Sequence, residues 1–447
     1  MAVMLTDRGV SAEHVRDVLS KHILVDGFHL VPDLLRSQGS HLVDETDGRT
    51  YLDLYSNFAS QALGWNHPAL ADPEFRERLL LAALNKPANS DVYTRFYADF
   101  VDTFAHLLVP ATHRDHLFFV DGGALAVENT LKAAFDWKVR RNRVRGVPGD
   151  HATKVIHFRQ AFHGRSGYTL SLTNTYDQRK TELFPKFDWP RIDNPMVVFP
   201  LAEHLREIEA AEARAVAQIE DTVARSGDDI ACLIIEPIQG EGGDNHFRAE
   251  FLRQLRMLAD RHGFLLIFDE VQTGVAMTGS MWAWQGLGVE PDLFAFGKKT
   301  QVCGFAANRR IDEVAENVFS VSSRINSTWG GNLADMVRAT KIFEVIVADD
   351  LAGNAECQGA FLLEGLCALQ REFPHLILQP RGRGLMIAFN LPDADARARA
   401  LAAARQHGLL LLPSGPSALR MRPFLDISRE DAARALELLA ETIRTLD

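Results

Sequence analysis

Two side chains stand out by where they fall against apolar runs. Asp269 directly follows FLLIF (264–268), and Lys298 directly follows LFAFG (293–297). Each run is short and apolar at successive positions, the habit of a strand buried on both faces, so a carboxylate and an amine emerge at strand ends. Burial lowers a lysine's pKa from its usual value of about 10.4, and the neutral amine is the form that makes imines with carbonyls. A carboxylate in a nearly dry site needs a facing cation, and a protonated pyridine nitrogen would serve. Taken singly, Asp269-Glu270 reads equally well as a helix cap and Lys298-Lys299 as a solvated strand end. Spacing alone does not choose between the two lysines. A third feature, Asp121-Gly122-Gly123-Ala124, follows HLFFV (116–120) and opens a helical stretch. Glycines there let backbone N–H groups and the positive end of a helix dipole meet a phosphate, although Gly-Gly turns also precede helices for steric reasons alone.

Positioning these groups requires an alternation of strand and helix. KVIHF (154–158) and IACLIIE (230–236) join the three runs above, and helix-compatible segments at 124–139, 203–226 and 249–262 lie between them. That pattern predicts an α/β domain with a mostly parallel central sheet, helices on both faces, and its ligand edge at the carboxyl ends of the strands. Residues 41–54 hold two short stretches around Asp47-Gly48, a hairpin turn pair. Amphipathic helices are expected at 335–349, 354–372, 393–406 and 429–445, with a Gly-punctuated segment at 381–391 and a strand around LRMRPF. The expected division is an N-terminal segment (1–60) joining a C-terminal small α+β domain (335–447), both packed on a large domain (61–334).

The chain of 447 residues carries 48 Lys+Arg against 59 Asp+Glu, a formal charge of −11, so nucleic acid and anionic membrane are poor candidate partners. No apolar stretch approaches the ~20 residues of a membrane-spanning helix. Residues 1–10 place Asp7 and Arg8 where a secretory peptide would be apolar, so a cytoplasmic protein is expected. The four cysteines, Cys232, Cys303, Cys357 and Cys367, lack CxxC spacing and read as small buried residues. His113 and His116 form an HxxH without HExxH context and read as a surface loop, so no metal site is expected. Gly164-Arg165-Ser166-Gly167 is not a nucleophile elbow, Gly297-Lys298-Lys299-Thr300 is not a P-loop, and no strand is followed by GxGxxG.

Six blocks in order, GGALAVENTLKAA (122–134), AFHGR (161–165), EPIQGEGG (236–243), LLIFDEVQTG (265–274), PDLFAFGKKTQVCG (291–304) and NSTWGGN (326–332), resemble the class III pyridoxal-phosphate aminotransferases over essentially the whole chain. RSGYTLSLTNT (165–175) and FPKFDWPRI (184–192) are most similar to the branch acting on the ε-amine of L-lysine. The resemblance implies fold type I and pyridoxal 5'-phosphate as cofactor. It implies transfer of that amine to 2-oxoglutarate, giving 2-aminoadipate 6-semialdehyde, which closes to 1-piperideine-6-carboxylate, and L-glutamate. It assigns Lys298 to the cofactor aldehyde and to proton transfer, Asp269 to the pyridinium nitrogen, Gln272 to the ring hydroxyl and Phe162 to stacking on the ring. Gly123 and Ala124 would bind phosphate through their backbone, helped by Thr328. In a homodimer, Asn326 and Thr328 would reach the other subunit's site.

By the same resemblance Arg420 takes the α-carboxylate of the oxo acid, Arg165 holds the distal carboxylate of either substrate, and Glu241 pairs with Arg420 while lysine reacts. A static ion pair in a loop is the plainer reading of Glu241. Many relatives read G-x-G-R-T-G where this chain has Gly274-Val275-Ala276-Met277-Thr278-Gly279. Phe58, Ala59 and Ser60 are candidates for lining the substrate channel or for core. Alternatives are another ω-aminotransferase, acting on ornithine or 4-aminobutyrate, or a non-catalytic binding protein of the same fold.

Overall fold

The computed structural model describes residues 9–446, so most of the 1–10 segment read for a targeting signal lies outside the described residues. A seven-stranded sheet forms the centre, in the order His116–Val120, Cys303–Ala307, Leu293–Phe296, Leu265–Asp269, Ile230–Ile235, Lys154–Phe158 and Arg191–Ile192. The pairs from Leu293–Phe296 through to Arg191–Ile192 are parallel. Cys303–Ala307 runs antiparallel to both its neighbours. This strand was not read from the sequence: CGFAA is rich in small residues and directly follows the lysine motif, so it lacks the run of Leu and Phe side chains that marks its neighbours.

Both faces of the sheet are covered, which is why its strands read as continuous apolar runs. Leu265 and Ile267 pack into one cluster with Val127, Leu131 and Trp137 of the Gly123–Val144 helix. Leu266 and Phe268 pack into the other, with Phe251 and Leu255 of the Ala249–His262 helix. Side chains alternate along a strand, so Asp269 shares the side of Leu265 and Ile267, the side on which the Gly123 helix begins. The Ala249–His262 helix ends at Gly263, in the left-handed conformation with φ 66° that L side chains resist. Among the described residues no helix is long and apolar enough to cross a membrane.

Outside this layer, His41–Val43 pairs antiparallel with Thr50–Asp53, which pairs in parallel with Leu409–Leu410 from the far end of the chain. Leu378–Arg383, Met386–Asn390, Ala418–Met421 and Leu412–Ser414 form a four-stranded antiparallel sheet. The Gly-punctuated 381–391 segment is thus a hairpin. At its tip Gly384 (φ 54°) leaves no room for a side chain, since a Cβ there would come within 2.5 Å of Thr278. The terminal helices run Leu333–Ala348, Leu351–Glu372, Ala394–Gln406 and Arg429–Arg444, within a few residues of expectation. Two expectations fail. His113 is fully buried, with Nε2 3.1 Å from the Pro291 carbonyl, and is no surface residue. Of the cysteines Cys232 and Cys303 are buried, but Cys357 on the Leu351–Glu372 helix is exposed.

Candidate active site

Asp269 ends one strand and Lys298 follows the next, and the register places Ala295 opposite Asp269, so carboxylate and amine leave neighbouring parallel strands at the same edge. Both line a cavity of about 530 Å³ together with Gly123, Ala124, Phe162, Gln272 and Glu241. Lys298 adopts φ 55°, a left-handed conformation rare outside glycine, in a short turn spanning Lys298–Thr300. Burial, reinforced by the charge of Arg420, pulls the Lys298 amine down to about 8. Its neighbour Lys299 points elsewhere: Nζ donates to the Gln272 carbonyl at 2.9 Å.

Asp269 is held from two sides. Oδ1 accepts the Val271 N–H at 3.0 Å, and Oδ2 lies 2.7 Å from His163 Nδ1. Because an ionised carboxylate only accepts, Nδ1 carries the hydrogen. Burial opposes a charged imidazole, yet the hydrogen bond and charge of Asp269, with Glu236 beyond, raise the His163 pKa above its usual value. Glu236 spans two loops: its oxygens accept the N–H groups of Phe162 at 2.9 Å and Gly240 at 3.1 Å. Burial pushes this carboxyl up to about 7. His163 and Glu236 were missed as site residues in the sequence, although both lie inside quoted blocks. A polar residue beside an aromatic carries no periodic signal, and only the fold brings His163 to Asp269.

The Gly122-Gly123 turn opens the 22-residue helix Gly123–Val144. Gly122 has φ 97°, and a Cβ on Gly164 (φ 115°) would approach Ala124 Cβ to 2.5 Å, so the AFHGR loop packs directly on the turn. The result is a helix amino end, free of side chains at its first position, at one end of a cavity whose wall carries a carboxylate and an amine. Asn332 joins the turn to the NSTWGGN segment: its N–H donates to Asp121 Oδ1 at 3.1 Å while its own Oδ1 caps Ala334.

Beyond Gln272 lies an arginine pair. Arg420 and Arg422, two apart at the end of the Ala418–Met421 strand, both donate to Gln272 Oε1, at 3.3 and 3.2 Å. Arg422 is also ion-paired with buried Asp244. Among the described residues Arg420 has no ion pair and its Nε is buried without a partner, and burial and the Arg422 charge lower its pKa to about 10. The expected pairing of Glu241 with Arg420 is not formed in this structure. Instead Glu241 Oε1 accepts from Lys180 Nζ at 2.6 Å and Thr175 Oγ1 at 2.7 Å.

Ser60 lines the cavity, whereas Ala59 is buried and Phe58 is exposed. Residues Ser56–Ala59 all have positive φ, a turn costing roughly 1–2 kcal/mol per residue. It is held by Asp53 Oδ1 on the Ser56 N–H and by Ser56 Oγ on the Arg422 carbonyl. Arg165, Asn326 and Thr328 do not line the cavity; all three are exposed.

A family model described as aminotransferase class-III matches residues 26–443. The L-lysine-epsilon aminotransferase of Mycobacterium tuberculosis is 53% identical over 437 residues, covering 97% of this chain and 96% of that protein. The L-lysine-epsilon aminotransferase of Streptomyces clavuligerus is 49% identical over 435 residues, covering 97% and 94%. The solved lysine aminotransferase from M. tuberculosis in the internal aldimine form superposes with a TM-score of 0.96 at 52% identity, covering 98% of this chain and 100% of that one.

Proposed function

The chain belongs to the class III aminotransferases, and from its likeness to the L-lysine-epsilon aminotransferases we propose that it moves the ε-amino group of L-lysine to 2-oxoglutarate, giving 2-aminoadipate 6-semialdehyde and L-glutamate. It is a pyridoxal-phosphate enzyme of fold type I. The observation that carries the site assignment is the convergence of Lys298, Asp269 and the Gly122-Gly123 helix start on one cavity. When bound, the cofactor supplies an aldehyde for amines and an electron-poor ring that stabilises a carbanion.

The residues fit that group. Gly123 and Ala124 offer backbone N–H groups to the phosphate at the helix start. Asp269 holds a proton on the ring nitrogen, its carboxylate kept in place by His163 and Val271. Phe162 covers the ring face, and Glu236 fixes its backbone. The arginines only donate, so the Gln272 oxygen must face them and its NH₂ is the end left for the ring oxygen. Lys298, its proton affinity lowered, takes and returns the proton at the substrate carbon.

Two substrates share this site in turn. Arg420 receives the α-carboxylate of 2-oxoglutarate, and Arg165 the distal carboxylate of either substrate. With lysine present Arg420 has no substrate anion, and an unpaired buried cation costs several kcal/mol; Glu241 moves onto it then. Asn326 and Thr328 act across a homodimer interface on the partner's cofactor. This is supported by their exposure here and by a neighbouring surface that leaves Leu84, Val92, Tyr93 and Trp329 exposed. The product semialdehyde carries amine and aldehyde at six-ring distance, so it closes to 1-piperideine-6-carboxylate without further catalysis.

Lysine labelled with ¹⁵N at the ε position tests the reading. Label should appear in glutamate, and lysine labelled only at the α position should give none. Turnover of ornithine or 4-aminobutyrate without turnover of lysine would overturn it.

A further inference from the structure

We propose that Lys180 is a positioning residue for substrate exchange: with Thr175 it forms the dock that holds the Glu241 carboxylate away from Arg420, and so sets how readily the site accepts a dicarboxylate. The inference rests on the exchange of Glu241 proposed above. It deepens that reading by naming the second resting place.

Three observations place the dock. First, Glu241 Oε1 already receives Lys180 Nζ at 2.6 Å and Thr175 Oγ1 at 2.7 Å, two charge-assisted hydrogen bonds on one carboxylate oxygen. Second, the far ends of the exchange are both incomplete. Among the described residues Glu241 Oε2 is buried without a partner, and so is Arg420 Nε. The acceptor and the donor that a Glu241–Arg420 pair would satisfy are therefore both vacant, while Arg420 feels the Glu241 charge across the cavity. Third, the backbone beneath Glu241 is fixed. Its carbonyl accepts the Gly415 N–H at 2.9 Å, and a Cβ on the next residue, Gly242, would come within 2.1 Å of the Gln160 carbonyl oxygen. Movement is thus confined to the side chain, which has two discrete cationic partners, the arrangement of a two-state element.

The dock itself is local. Lys180 ends the short turn Gln178–Lys180, started by Asp177, whose side chain accepts the Arg179 N–H. Gln178 Nε2 ties this turn back to the Thr175 carbonyl at 2.9 Å. Lys180 is partly exposed, so its replacement leaves the core untouched.

Removing the Lys180 charge shifts Glu241 towards Arg420, which blocks the oxo acid and favours lysine. In steady-state kinetics with both substrates, Lys180→Met should raise KM for 2-oxoglutarate about three- to tenfold and leave KM for lysine within about twofold. Lys180→Arg should restore the wild-type value. In a Glu241→Ala background, Lys180→Met should change nothing further. Equal KM changes for both substrates, failure of arginine to rescue, or a Lys180 effect that persists without Glu241 would overturn the dock. The Glu241→Ala enzyme separates the two levels. If it slows the lysine half-reaction selectively while Lys180→Met is not selective, the dock alone fails. If it slows both half-reactions equally, the exchange fails and the dock with it.

Discussion

The Nζ of Lys299 donates to the carbonyls of Gln272 at 2.9 Å and Ala59 at 3.4 Å, whereas Lys298, one residue earlier, lines the cavity. Sequence spacing left the two open, because adjacent lysines after a strand have the same local signature. What separates them is the left-handed backbone at Lys298, which no propensity foretells for a lysine. A pH dependence follows from the environment of Lys298. Its pKa is lowered to about 8, so the neutral, nucleophilic amine grows as pH rises through that value. At pH 7 about one amine in ten is neutral, far more than for an exposed lysine. The rate of pyridoxal-phosphate uptake by cofactor-free enzyme, followed by visible absorbance, should therefore climb through pH 8, where about half the amine is neutral, and level off about one unit above it. A rate still climbing steeply towards pH 10 would show an unperturbed lysine instead.

The site depends on loops at the carboxyl edge of the sheet holding one another. Glu236 is the tie between the AFHGR loop and the EPIQGEGG loop, accepting one N–H from each. Glu236→Gln replaces one acceptor by a donor, so a buried N–H loses its partner. The expected cost is about 1–3 kcal/mol, measurable in denaturant unfolding, and an unchanged midpoint would remove Glu236 from this role. A second element carries strain. In Gly274–Gly279, Val275 and Ala276 take φ 58° and 63°. Ala276→Gly should relieve that strain and stabilise the protein by roughly 0.5–1 kcal/mol, seen as a higher thermal midpoint with unchanged turnover. A lower midpoint would show that the Ala276 methyl contributes more by packing.

The strands legible in the sequence were those with long apolar side chains, and HLFFV and KVIHF end where the runs end. Cys303–Ala307 and the 378–390 hairpin were less legible, since small residues and glycines carry little pattern. For the site, the residues at strand ends were legible, because a polar residue closing an apolar run is a local signal. His163 and the dock at Lys180 were not, because their partners lie about a hundred and about sixty residues away in the chain.

At the scale of the whole molecule, the ends of the chain meet: Thr50–Asp53 pairs with Leu409–Leu410, and the Arg422 carbonyl accepts from Ser56. Arg420 and Arg422 thus reach Gln272, which lines the cavity, from the C-terminal part of the chain, while Ser60 lines it from the N-terminal part. Thr328 and Asn326, exposed on this subunit, are proposed to act in the partner's site. Mixing Thr328→Ala enzyme, expected to bind cofactor weakly, with Lys298→Ala enzyme at limiting cofactor and with subunit exchange should regenerate one intact site per mixed dimer, and so up to about a quarter of wild-type activity at full statistical exchange. No recovery after demonstrated exchange would place Thr328 in its own subunit's site. The most direct test of the chemistry itself is borohydride reduction of the cofactor-loaded enzyme followed by peptide mapping. The cofactor should be found on Lys298 alone; a cofactor fixed to Lys299 or to any other amine would contradict the assignment.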